Sequence, residues 1–205
     1  MTQTLIIPGL KSSGPLHWQT WLQRRVEGAI RVHQRDWNAP HLPDWSGRVR
    51  AAIIGSSSPV HLVAHSFGAL AAVQAASDHE EQIAGALIVA PADPDRFGVR
   101  DYLPHHALGF PAIVVASQND PWMPIAVAER WATRWRADFV DLGLKGHINA
   151  ESGFGPWPEA LKLLERLSRA NELIVARENR AALRQANGRR WGESHLAGRR
   201  VAGIS

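Results

Sequence analysis

Six short stretches of mostly apolar or β-branched residues punctuate the first 142 positions, and helical stripes fall between most of them. Leu5-Ile6-Ile7 is continuously apolar and stops at Pro8-Gly9, the signature of a strand buried on both faces. Similar runs cover 29–32, 60–64, 83–90, 112–116 and 139–142. Trp18, Leu22 and Val26 repeat at i, i+4 and i+8 after Pro15, with Arg24 and Arg25 off the stripe, and Gly28 suits a left-handed helix cap. A Pro-rich loop from Trp37 to Trp45 precedes an expected helix over 45–54, which Gly55 closes. Further helices are expected from Ser66 to about Ser77, from Pro124 through Val127, Trp131 and Trp135, and from Pro158 through Leu161, Leu164 and Leu167. Residues 91–110 contain Pro, Gly and paired His and read as a long loop with room for a short helix.

Short apolar strands alternating with helices predict a mostly parallel sheet with helices on both faces. Beyond residue 170 the apolar stripe fades. Asn171 to Asn187 is compatible with a helix whose apolar positions are mainly Ala, and Gly188 to Ser205 reads as a mobile segment. The expected organisation is one domain over 1–170 and a weakly structured Arg-rich tail over 171–205.

Charge sharpens that division. Residues 1–170 hold 16 Lys and Arg against 16 Asp and Glu, whereas 171–205 hold seven Arg and three Glu, so the net +4 resides in the tail. Nucleic-acid binding by the core therefore finds no support in the charge; the Arg-rich tail reads first as a solvated segment, with a protein partner held through it as the sharper alternative. Apolar residues make up 45% and charged residues 20%, as in ordinary globular proteins. The absence of cysteine and an N-terminal apolar run too short for a signal peptide lead us to expect a cytoplasmic location, with no membrane span.

The chemistry starts at Val63-Ala64-His65-Ser66-Phe67-Gly68, where β-formers give way to helix formers across a serine. Strand, sharp turn, serine and helix outline a nucleophile elbow, although Ala64 stands where G-x-S-x-G has its first glycine. A lone serine here would be read as a helix N-cap. Loops at the carboxyl ends of parallel strands converge on one edge, so partners belong on other strand-end loops. The loop after 112–116 carries Asp120 and the loop after 139–142 carries His147, which completes the chain order Ser, acid, His. A serine hydroxyl needs an imidazole to accept its proton, and the imidazole needs a carboxylate to fix its tautomer. The oxyanion donors expected are the backbone N–H of Phe67, at the start of a helix, and that of Leu10, on the loop after the first strand.

With Ile7-Pro8-Gly9, His17-Trp18, Trp21-Leu22, Trp45, Ser117-Gln118-Asn119-Asp120-Pro121, the run Gly146 to Gly155 and Trp157-Pro158 all in order around the elbow, the chain resembles a known family over residues 4 to about 170. It is similar to the small serine hydrolases grouped with retinoblastoma-binding protein nine and its bacterial relatives, in the α/β-hydrolase superfamily. The resemblance implies a three-layer α/β-hydrolase fold without a large lid domain, Ser66 as nucleophile, Asp120 as triad acid and His147 as base. It also implies tolerance of Ala64, and it leaves the tail undescribed.

Other assignments stay open at this point. Asp93 and Asp95 compete with Asp120 for the acid. Trp37 and Trp122 are candidate pocket walls or core residues, His65 is expected to pack under the elbow, and His105-His106 are expected to be solvated. The scattered histidines have no metal-ligand spacing, and no cofactor is expected. The expected activity is hydrolysis of a small-molecule or peptide-borne ester, less readily an amide, through an acyl-enzyme. The alternatives are a cofactor-free perhydrolase and a protein-binding module that retains the fold.

Overall fold

The computed structural model describes residues 2–198; the last seven positions of the expected mobile tail, 199–205, lie outside the described residues. The six strands are β1 (Gln3–Ile7), β2 (Ile30–Arg31), β3 (Val60–His65), β4 (Ile83–Val89), β5 (Ala112–Ala116) and β6 (Asp138–Asp141), and every pairing is parallel, in the order β2-β1-β3-β4-β5-β6. The order reverses between β1 and β3, so the carboxyl ends of these strands open a crevice where side chains from several loops can meet. The helices are α1 (Trp18–Gln23), α2 (Leu42–Ile54), α3 (Phe67–Ser77), α4 (Ile125–Trp135) and α5 (Pro158–Gly198).

Period-2 alternation along the buried strands feeds two cores. Leu5, Ile7, Leu62, Ala64 and Ile88 face α2, α3 and α4, while Ile6, Val63, Leu87 and Val89 face α1 and the first turns of α5. This is the three-layer arrangement of an α/β-hydrolase, and no insertion builds a lid domain among the described residues. No described helix is long and apolar enough to cross a membrane.

Three elements differ from the sequence expectation. Helix α2 begins at Leu42, inside the stretch read as a Pro-rich loop, because Pro43 sits in the first turn, where its missing N–H is harmless. Helix α1 stops at Gln23, so Val26 lies beyond it, and Gly28 takes the left-handed conformation at φ 69°. Helix α5 continues past its apolar stripe to Gly198; Ala, Glu, Arg and Leu sustain a helix by propensity where no stripe exists. Internal contacts divide the chain into two units, Met1–Ser168 and Arg169–Ser205.

Candidate active site

Ser66 closes β3 and caps α3 with φ 55° and ψ −128°, a conformation that L-residues rarely adopt. Two main-chain bonds fasten this turn to the end of β4: Ser66 N–H donates to Val89 O at 3.2 Å, and Ala92 N–H donates to Ser66 O at 3.2 Å. The turn is also crowded. A methyl at Gly68 would stand 2.1 Å from Pro8 O, and one at Gly9 would stand 2.6 Å from Ser66 Cβ. These two glycines therefore let the β1 loop press against the serine. Ala64, at the position of the missing glycine, is fully buried in the α2–α4 core, so its methyl is accommodated.

The three residues singled out by chain order come together. Ser66 Oγ lies 2.9 Å from His147 Nε2, and His147 Nδ1 lies 2.9 Å from both carboxylate oxygens of Asp120. The side chains of His147 and Asp120 are 9% and 2% exposed, which removes most of the competing water from this hydrogen bond. Asp120 Oδ1 also accepts the N–H of Trp122 at 2.9 Å. The rival acids are engaged elsewhere: Asp93 accepts the N–H of Asp95, and Asp95 pairs with Arg100. The two carboxylates of β6 are also occupied, Asp138 with Arg166 and Asp141 by Gln118 and the N–H of Gly143.

Braces that sequence patterns did not reveal hold the acid loop to the histidine loop. Ser117 Oγ accepts the N–H of Lys145 at 2.9 Å and donates to Gly143 O at 3.1 Å. Asn119 Oδ1 accepts the N–H of Gly146 at 2.7 Å, and Ser152 Oγ accepts that of His147 at 3.1 Å. From the sheet side, His65 Nε2 donates to His147 O at 2.9 Å, and Trp18 Nε1 donates to Ile148 O at 2.9 Å. Ile148 sits at φ 48°, which is unfavourable for a β-branched residue, so these donors hold a strained segment in place. The only signal for these braces lay in the motif runs that contain them.

A cavity of about 250 Å³ opens over Ser66. Leu10, Ala92, Phe97 and Trp122 form its apolar wall, and His17, His65 and Asn149 belong to its polar side. Leu10 lines the cavity, and Phe67 is the first residue of α3. Trp122 is a wall, 6.4 Å from the His147 ring. Trp37 is not: its ring packs edge-on against Trp45 at 5.7 Å, beside the core rather than the cavity. What Trp37 contributes is its carbonyl, which accepts the N–H of Lys11 at 2.9 Å and anchors the loop that bears Leu10. His105 is exposed and bonded to Arg100 and Arg134, away from the cavity.

His17 is a further residue that sequence reasoning did not assign to the cavity. It caps α1, accepting the N–H of Gln19 on Nδ1 at 3.2 Å. Gln19 in turn donates to Ile7 O at the end of β1 and to Val63 O within β3 and accepts from Ser13 Oγ, which fixes this corner to the sheet. Burial, then the charges of Arg31 and His147, lowers the His17 pKa to about 4. Burial foremost, with His147 and His17 nearby, also takes His65 well below the ordinary histidine value, against a smaller raising effect from its bond to His147 O.

A parallel sheet with this order, a strained serine between strand and helix and an adjoining cavity at the strand ends define an α/β-hydrolase. The chain belongs to the serine hydrolase family, whose family model matches residues 4–166. This agrees with the resemblance read from the motifs. It is 40% identical to a protein of Pectobacterium atrosepticum described as a YdeN-like hydrolase, with 84% of this chain and 92% of that one covered and a TM-score of 0.77. The ydeN gene product of Bacillus subtilis shares the fold at 22% identity, 82% and 98% coverage and a TM-score of 0.68. A Bacillus cereus carboxylesterase shares it at 16% identity, 82% and 88% coverage and a TM-score of 0.55. No curated protein matches the chain. The protein is a serine hydrolase.

Proposed function

We propose that this serine hydrolase cleaves carboxylic esters through Ser66, His147 and Asp120. The observation that carries the reading is the continuous hydrogen-bonded line from Asp120 through His147 to Ser66 Oγ at the foot of the cavity. Ser66 Oγ attacks the ester carbonyl as His147 Nε2 takes its proton. Asp120 accepts from Nδ1–H throughout and stabilises the imidazolium. The N–H groups of Leu10 and Phe67 receive the oxyanion, aided by the positive end of α3. The tetrahedral adduct collapses, His147 protonates the leaving alcohol, and a water activated by the same imidazole releases the acid from the acyl-enzyme. The cavity's size, and the lack of a lid domain among the described residues, suit a short acyl chain or an ester borne on a peptide.

The test is labelling with a fluorophosphonate probe under native conditions. Wild type is expected to label and Ser66→Ala is not. A wild type that stays unlabelled while folded would overturn the proposal.

A further inference from the structure

The reaction just described has no use for two imidazoles on the polar side of the cavity, His17 and His65. Their hydrogen bonds dictate their tautomers. Because the N–H of Gln19 donates to His17 Nδ1, the proton of the neutral ring is on Nε2, which is a donor. Because His65 Nε2 faces a carbonyl oxygen, which can only accept, the proton of that ring is also on Nε2, and Nδ1 keeps a lone pair. Burial holds both rings neutral at ordinary pH.

The rings meet edge-on with centroids 4.9 Å apart, and both line the cavity. They are only 6% and 4% exposed. Each makes one hydrogen bond within the protein, through the other nitrogen, so the donor on His17 and the acceptor on His65 are left open to the cavity. Neither nitrogen is sealed away from solvent without a partner, so both are accessible from the cavity that the two rings line. A hydroxyl satisfies both, accepting from one ring and donating to the other.

Side and substrate follow from the neighbours. The His65 ring packs on His147 at 4.9 Å, and His147 delivers its proton to the departing oxygen. The imidazole pair therefore flanks the leaving group, while Ala92 and Phe97 remain for the acyl chain. The geometry points to a hydroxyl-binding subsite formed by His17 and His65, and to esters whose alcohol portion carries a second, free hydroxyl as the preferred substrates. This rests on the ester-hydrolase reading and specifies its substrate class.

The test compares 2-hydroxyethyl acetate with 2-methoxyethyl acetate on the full-length protein. Both pass through the same acetyl-enzyme, and their leaving alcohols are of similar acidity, so the ratio of kcat/KM isolates recognition of the hydroxyl. A preference of about tenfold for the hydroxyl ester is expected, the worth of one well-placed neutral hydrogen bond. His17→Phe, which keeps a ring against His65 but lacks the donor, is expected to bring the ratio to about one. A wild-type ratio near one, with the pair holding only water, overturns the subsite. So does a ratio that His17→Phe leaves at the wild-type value. If His17→Phe does not fold, as its melting curve will show, the wild-type ratio decides alone. Fluorophosphonate labelling run in parallel separates the two claims: an unlabelled enzyme fails as a serine esterase, whereas a labelled one with a ratio near one fails only in its subsite.

Discussion

His65 Nε2 donates to the main-chain oxygen of His147 at 2.9 Å, so the residue next to Ser66 in sequence holds the loop that carries His147. His65→Phe retains a ring but orphans a buried carbonyl, a loss of about 1–3 kcal/mol of stability. Because the bond positions His147, kcat on a simple acetate is expected to fall roughly 10- to 100-fold. Urea unfolding and steady-state kinetics measure the two effects, and an unchanged kcat would show that the other braces suffice.

The relay itself sets larger expectations. Ser66→Ala should reduce kcat by a factor on the order of 10⁶, and Asp120→Asn, which leaves an amide facing Nδ1, by about 10⁴. Kinetics on one activated ester covers both. A loss of only a few fold in Ser66→Ala would remove Ser66 from the role of nucleophile.

Crowding around the elbow makes its glycines unequal. At Gly68 the added methyl would meet rigid backbone, Pro8 O at 2.1 Å, so Gly68→Ala should lower stability by about 2–3 kcal/mol or displace the β1 loop. At Gly9 the methyl meets Ser66 Cβ, so activity is expected to suffer more than stability. Ala64→Gly, by contrast, only removes a buried methyl and adds backbone freedom. A loss of about 1–2 kcal/mol with activity within threefold is expected. Melting temperatures and specific activities of the three variants, compared side by side, check the order.

Acid should weaken the fold through the buried histidines. The folded pKa of His17 is about 4 against 6.5 for the ordinary group, so between these values the unfolded chain binds a proton that the native state refuses. The contribution is complete above about pH 6.5 and is lost as pH falls; by pH 5 the loss amounts to about 2 kcal/mol from His17 alone, and His65 acts in the same direction. Urea midpoints at about pH 7.5 and pH 5 measure it, and His17→Phe should make the slope shallower. Equal midpoints at the two pH values would contradict the assignment of neutral rings.

Every brace of the site lies within Met1–Ser168. Truncation after Ala170 is accordingly expected to leave acetate hydrolysis within twofold, as read by kcat/KM. A larger loss would give the tail a part in the site.

The elbow was legible because the hydrophobic period changes from strand to helix across Ser66, and Asp120 and His147 because strand-end loops of a parallel sheet share one edge. What stayed hidden depends on how segments remote in sequence approach. Nothing along the chain says which way the ring of Trp37 faces, and its loop position fits a pocket wall as well as the packing on Trp45 that it adopts. Ser117 and Asn119 stand in a motif run with no role attached, since the N–H groups they hold belong to a loop more than 25 positions away. His17 stands only in the His17-Trp18 motif pair, with no role attached. It reaches the cavity because Gln19 ties α1 to Ile7 at the end of β1 and to Val63 in β3.

The bond from the Trp18 indole to Ile148 O joins residues 130 positions apart. During synthesis, at about 5–20 residues per second, Trp18 waits on the order of ten seconds before its acceptor exists. Until then Ser66 Oγ also lacks its partner, the His147 imidazole. The hydrogen-bonded line from Asp120 to Ser66 is therefore assembled only after β6 and the loop beyond it have been made, long after the elbow itself.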